Sequence, residues 1–125
     1  MTAVPRKFLI VDDDVHIRRL IALYLRQAGY EVVDSGSGEE ALELAARDAF
    51  DTVLVDVILP AYGGFRLTQK LKSSAPAPRV IVMSGDETQR EAAAGYGADA
   101  FLAKPFTRDE LLAVVKLGSH LETAT

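Results

Sequence analysis

The sequence predicts an α/β fold, a doubly wound sheet of five parallel strands with helices on both faces. Short apolar runs rich in β-branched residues alternate five times with longer segments of helical period. The runs are apolar almost throughout, as strands buried on both faces are, instead of alternating apolar with polar.

The first run, Phe8-Leu9-Ile10-Val11, reads as a fully buried strand. Behind it Ile17, Leu20, Ile21, Tyr24 and Leu25 fall at i, i+3, i+4, i+7 and i+8, one face of a helix that Gly29 ends. Tyr30 to Val33 is the second strand, broken by Ser35-Gly36-Ser37-Gly38, and a helix through Ala41, Leu42, Leu44 and Ala45 follows to near Asp48. Thr52 to Val55 is the third strand and Pro60 to Gly64 a loop. The next helix carries Phe65, Leu67 and Leu71 and is terminated by Pro76 and Pro78. Val80 to Met83 is the fourth strand. Asp86 to Tyr96 is helical by propensity, but its middle is only Ala92-Ala93-Ala94, so little apolar surface holds it. A loosely held helix there is expected to act as a two-state element. Gly95 and Gly97 end it, Ala100 to Ala103 is the fifth strand, and a last helix runs from about Arg108 to His120 with Leu111, Val114, Val115 and Leu121 inward. Crossovers should be right-handed, giving the flavodoxin-like order 2-1-3-4-5. With no linker, repeat or low-complexity segment, residues 1–125 read as one domain.

Composition narrows the function. A net charge of −4 and scattered basic residues, apart from Arg18-Arg19, give no electrostatic case for nucleic-acid binding. Cysteine is absent, which removes disulfides, thiol catalysis and thiolate metal sites together. No apolar run is long enough for a signal-peptide core or a membrane span, so a cytoplasmic protein without membrane contact is expected.

In doubly wound sheets the working site lies at the carboxyl ends of the strands, near the switch point between strands 1 and 3. Strand 1 ends here in Asp12-Asp13-Asp14, strand 3 in Asp56, strand 4 in Ser84-Gly85 and strand 5 in Lys104-Pro105. Carboxylates crowded from two adjacent strands need a neutralising cation. Mg²⁺ suits such a site, because it takes one or two carboxylates together with phosphate oxygens and waters. Lys104 offers a point charge to an anion and Ser84 a hydroxyl donor, while a carboxylate can itself be the nucleophile that forms an acyl phosphate. These parts describe phosphoryl transfer. Each has a plainer reading: an aspartate before a helix is often only a cap, and a lysine before proline is often only a solvated turn. Asp14 reads as a cap or surface acid, and His16 and His120, lacking partners at ligand spacing, as surface residues.

The ordered set Phe8-Leu9-Ile10-Val11-Asp12-Asp13, Val55-Asp56 with Pro60 four residues on, Ser84, and Lys104-Pro105 resembles the receiver domain of two-component response regulators, of the chemotaxis type with a single receiver. The resemblance covers essentially the whole chain. It implies that Asp56 is the phosphoacceptor and that Asp12 and Asp13, with Asp56 and the backbone carbonyl of Ile58, hold Mg²⁺ or Mn²⁺. It implies further that Lys104 contacts the phosphoryl group, that a cis peptide precedes Pro105, and that Ser84 and Phe101 are the switch pair. A histidine kinase or histidine phosphotransfer protein would be the donor. The surface of the fourth helix, fifth strand and fifth helix would face an output protein that the sequence does not identify. The chain would be a monomer or weak dimer, and no enzyme beyond catalysing its own phosphorylation and slow self-dephosphorylation.

Two departures stand out. Gly63 occupies a position where the family often has aspartate, loosening the loop, while Gly64 keeps the usual glycine. Ile58 is apolar where many relatives are polar, and an apolar group cannot hydrogen-bond an attacking water. Slow loss of the phosphoryl group is therefore expected. Among rivals, a flavin binder would need a Ser/Thr/Gly loop where three aspartates stand, and the Gly-rich dinucleotide and P-loop signatures are missing. An aspartate-nucleophile phosphatase is nearer, since Asp12-x-Asp14 mimics its signature, but it wants Thr or Val where His16 stands. A phosphate-independent interaction module is the remaining alternative.

Overall fold

In the computed structural model, which describes residues 6–116, five strands alternate with five α-helices. They are β1 (Lys7–Val11), α1 (Val15–Gln27), β2 (Glu31–Ser35), α2 (Gly38–Arg47), β3 (Thr52–Asp56), α3 (Gly64–Lys72), β4 (Arg79–Ser84), α4 (Arg90–Gly95), β5 (Ala100–Ala103) and α5 (Arg108–Lys116). All strand pairings are parallel and the order is β2-β1-β3-β4-β5, as the alternation predicts.

Pleating divides each central strand between two cores. Phe8, Ile10, Leu54, Ile81 and Met83 pack under α1 and α5 with Ile21, Leu25, Leu111 and Val115. Leu9, Val11, Val53, Val55, Val80 and Val82 pack on the other face with Ala41 of α2, Leu67 and Leu71 of α3 and Ala93 of α4. The α1 face is rotated from the expected one: Leu20 is 41% exposed and Ala22 is buried in its place. The segment expected to be one helix from Asp86 to Tyr96 is a single 3-10 turn, Glu87–Gln89, followed by the six-residue α4, whose one buried residue is Ala93. β2 reaches Ser35, beyond the expected stop at Val33. The expected end of α5 at His120 and the inward Leu121 lie outside the described residues.

Helix starts are set by side chains that satisfy orphan amides. Asp14 accepts from the amides of His16 (2.9 Å) and Ile17 (3.3 Å), and these bonds hold its carboxyl below the ordinary carboxylate value. Ser37 accepts from Glu40 N–H at 3.1 Å. Before α5, Thr107 Oγ1 accepts from Glu110 N–H (3.1 Å) while Glu110 Oε1 accepts from Thr107 N–H (2.8 Å), a reciprocal capping box. α3 has no side-chain cap and begins instead where Gly64 N–H meets the Val57 carbonyl at 2.8 Å.

Candidate functional site

Sheet register decides what meets at the carboxyl edge. Val11 pairs with Val55, so Asp12 and Asp56 leave adjacent strands side by side. Asp56 pairs with Met83 and Met83 with Leu102, both in the core under α1 and α5. Asp12 and Asp56 therefore continue a row on that parity. Ser84, one residue beyond Met83, has the other parity, towards the side covered by α2, α3 and α4.

Asp12 is fully buried, with Oδ2 accepting from Lys104 Nζ at 2.8 Å and Oδ1 from the Asp14 amide at 2.9 Å. Lys104 also pairs with Asp56 Oδ2, and Asp56 Oδ1 accepts from the Ile58 amide at 2.8 Å. One ammonium thus serves two buried carboxylates. Burial pushes the Asp56 pKa up; the Asp12 charge adds to this, and the hydrogen bonds from Lys104 and Ile58 only partly oppose it. Burial also works against the charge on Lys104, but Asp12 and Asp56 outweigh it and hold the ammonium above its ordinary pKa.

Backbone anchors fix these side chains. The Asp12 carbonyl accepts from Arg18 Nη1 at 2.8 Å, and Arg18 Nε pairs with Asp34 at 2.6 Å. A Cβ on Gly36 would stand 2.9 Å from Arg18 Nη1, so that loop passes close to the guanidinium. A Cβ on Gly64 would lie 2.1 Å from the Asp56 carbonyl oxygen, which makes glycine a requirement of the β3–α3 approach. Gly63 has φ +94°, a conformation that side-chain-bearing residues rarely adopt, so glycine here fits the loop's own geometry. Sequence reasoning passed over the role of Arg18. Its place four residues after the capping Asp14, hence facing the start of α1, is the signal that would have found it.

Of the predicted residues, the fold gathers Asp12, Asp56 and Lys104 directly. Asp13 is exposed at the rim, and Ile58 is 73% exposed while its amide holds Asp56. The Ser84 hydroxyl does not bond any of them: it donates to Gln89 Oε1 at 2.8 Å and accepts from the Asp86 amide at 3.0 Å. Phe101 is half-buried against the core of α2 and α3, with the Arg90 guanidinium 4.7 Å from its ring centre. The Lys104–Pro105 peptide is cis, as expected. His16 is exposed, and His120 lies outside the described residues.

Among the described residues no three acidic or histidine side chains form a ready metal cluster. The chemistry of the donors nevertheless fits a hard divalent cation. Asp12 and Asp56 present carboxylates at one edge, the Ile58 carbonyl follows two residues after Asp56, and Asp13 adds a third negative charge against the single ammonium of Lys104. Mg²⁺ or Mn²⁺ could be held by these groups and water.

The response regulator receiver domain family matches residues 8–116. The transcriptional regulatory protein SrrA of Staphylococcus aureus is 35% identical over 114 residues, which are 90% of this chain and 47% of SrrA, so the chain spans about half the length of that relative. A response regulator protein from Burkholderia pseudomallei, solved with a phosphorylated aspartic acid, a calcium ion and citrate, superposes with a TM-score of 0.83 at 30% identity, covering 95% of this chain and 71% of that one. The response regulator protein TrrA of Thermotoga maritima, solved in complex with Mg²⁺ and BeF, gives 0.82 at 29% identity, covering 89% and 96%. Among the described residues no helix is long and apolar enough to cross a membrane.

Proposed function

The chain belongs to the response regulator receiver domain family, and from that membership we propose that Asp56 is its phosphoacceptor. It is a receiver domain of a two-component system, a signalling domain and not a conventional enzyme. The observation that carries the proposal is the convergence of Asp12, Lys104 and Asp56 from three strand ends. The phosphorylated aspartic acid of the Burkholderia relative supports it.

The donor is a phosphohistidine on a histidine kinase or histidine phosphotransfer protein. An oxygen of the Asp56 carboxylate attacks phosphorus, the P–N bond breaks, and its electron pair stays on the imidazole, leaving an acyl phosphate. The Ile58 amide fixes one Asp56 oxygen and so orients the carboxylate. The Lys104 ammonium opposes the upward push that burial gives the Asp56 pKa, and then meets a phosphoryl oxygen. Mg²⁺, or Mn²⁺ in its place, held by Asp12, Asp13, Asp56 and the Ile58 carbonyl, supplies neutralising charge for the phosphoryl oxygens when bound. Ser84 and Phe101 carry the change to the surface of α4, β5 and α5, where an output protein docks. Residues 1–125 act as one receiver unit, cytoplasmic, monomeric or weakly dimeric, without nucleic acid or membrane as partner.

Incubation with acetyl phosphate and Mg²⁺ should add one phosphoryl group, detected by intact-mass spectrometry, and Asp56→Asn should add none. A wild-type chain that stays unmodified, or an Asn variant that is still modified, would overturn the assignment.

A further inference from the structure

The Ser84 hydroxyl has a single proton, and a hydroxyl can donate to one acceptor at a time. That proton is directed at Gln89 Oε1 at 2.8 Å; the Asp86 carbonyl, at 3.4 Å, is a much weaker second acceptor. Gln89 closes the 3-10 turn ahead of α4, and that turn is itself fixed by Asp86, whose carboxylate accepts from the Thr88 amide at 3.0 Å. The acceptor is therefore presented from an anchored turn. The next residue, Arg90, lies over Phe101 and bonds Glu87 at 3.0 Å. Two consecutive residues at the head of α4 thus engage both candidate switch side chains.

We infer that Gln89 is a positioning residue for Ser84: its side-chain carbonyl competes with the phosphoryl group on Asp56 for the one hydroxyl proton. The inference rests on the acceptor assignment above. While Gln89 holds the proton, Ser84 stays on the α4 side of the sheet, and phosphorylation must break this bond before Ser84 can donate towards Asp56. The strength of the Gln89 acceptor then sets how readily the phosphorylated conformation is reached. The α4 head and the acyl phosphate are coupled through one hydrogen bond.

Substitution of the acceptor separates this role from mere support of the turn. Gln89→Leu keeps size and removes the acceptor, whereas Gln89→Glu makes it anionic and stronger. Titration of the full chain with BeF₃⁻ in saturating Mg²⁺, followed by the NMR amide signals of Val57 and Gly85, reads the equilibrium directly. The Leu variant should reach half-saturation at about fivefold lower BeF₃⁻, the worth of one neutral hydrogen bond. The Glu variant should need more BeF₃⁻ than the wild type. In a Ser84→Ala background both effects should vanish, since no proton remains to compete for. Leu and Glu variants that shift the same way, or effects that persist without the Ser84 hydroxyl, would overturn the Gln89 role while leaving Asp56 in place. A wild-type chain with no BeF₃⁻ response at all would overturn the acceptor assignment and this inference with it.

Discussion

At the scale of single residues, the proposed function makes Ile58 the residue expected to limit what water can do at Asp56. Its amide is committed to the Asp56 carboxylate, and the residue is 73% exposed. An aliphatic group there cannot orient a water for attack on phosphorus, so the acyl phosphate should persist. Ile58→Asn introduces a donor and acceptor at that rim, and should speed loss of the phosphoryl group by about fivefold, the worth of one hydrogen bond in the transition state. The half-life of the phosphorylated chain after removal of acetyl phosphate, read by mass spectrometry, checks this; an unchanged half-life would refute the role of Ile58. Residue identities at this scale were partly legible in advance. Asp12, Asp56 and Lys104 announce themselves because charges at the ends of buried strands need a reason. Gln89 does not, because its partner is a hydroxyl whose position only the fold supplies, and Arg18 is legible only through its spacing from Asp14, since its partners at Asp12 and Asp34 come together only in the fold.

At the scale of elements, periodicity reports burial, and it locates elements well where burial is what forms them. The central strands β1, β3 and β4 are apolar runs and were found within a residue or so at each end. The edge strand β2 is only half-buried, and its polar end at Asp34 and Ser35 hid its length. The segment ahead of β5 breaks into a 3-10 turn and a short helix because the Asp86 cap and the Ser84–Gln89 bond shape its start, and these bonds leave no periodic trace. α5 depends on local chemistry in another way, since Thr107 and Glu110 close its first turn reciprocally. Thr107→Ala removes one half of that box and should lower stability by about 1 kcal/mol in urea unfolding, with an unchanged m-value. A loss well under 0.5 kcal/mol would mean that packing of Leu111, Leu112 and Val115 alone sets the start of α5.

At the scale of the whole molecule, the sheet register that assembles the site also loads it with unfavourable charge. Asp12 and Asp56 are brought together by the Val11–Val55 pairing, and a single lysine from β5's end answers both. Asp56 has a raised pKa in the fold, chiefly through burial. Between the ordinary carboxylate value of 3.8 and that raised value, the native chain keeps a proton that the unfolded chain has lost. Stability contributed by this group is therefore highest at low pH, falls as pH rises through that window, and stays reduced at neutral pH. Asp56→Asn keeps the shape and an oxygen acceptor for Lys104 but removes the charge, so at pH 7 in EDTA it should melt at a higher temperature than the wild type. The difference should shrink as pH is lowered towards 3.8, where the wild-type carboxyl regains its proton in both states. It should shrink also on adding Mg²⁺, since the proposed binding to the wild-type carboxylates would stabilise that chain by mass action. Calorimetric scans at several pH values, with EDTA or Mg²⁺, measure all three. An Asn variant that melts below the wild type in EDTA at pH 7 would show that Lys104 more than compensates the buried charge, and that the acceptor site is no burden on the fold.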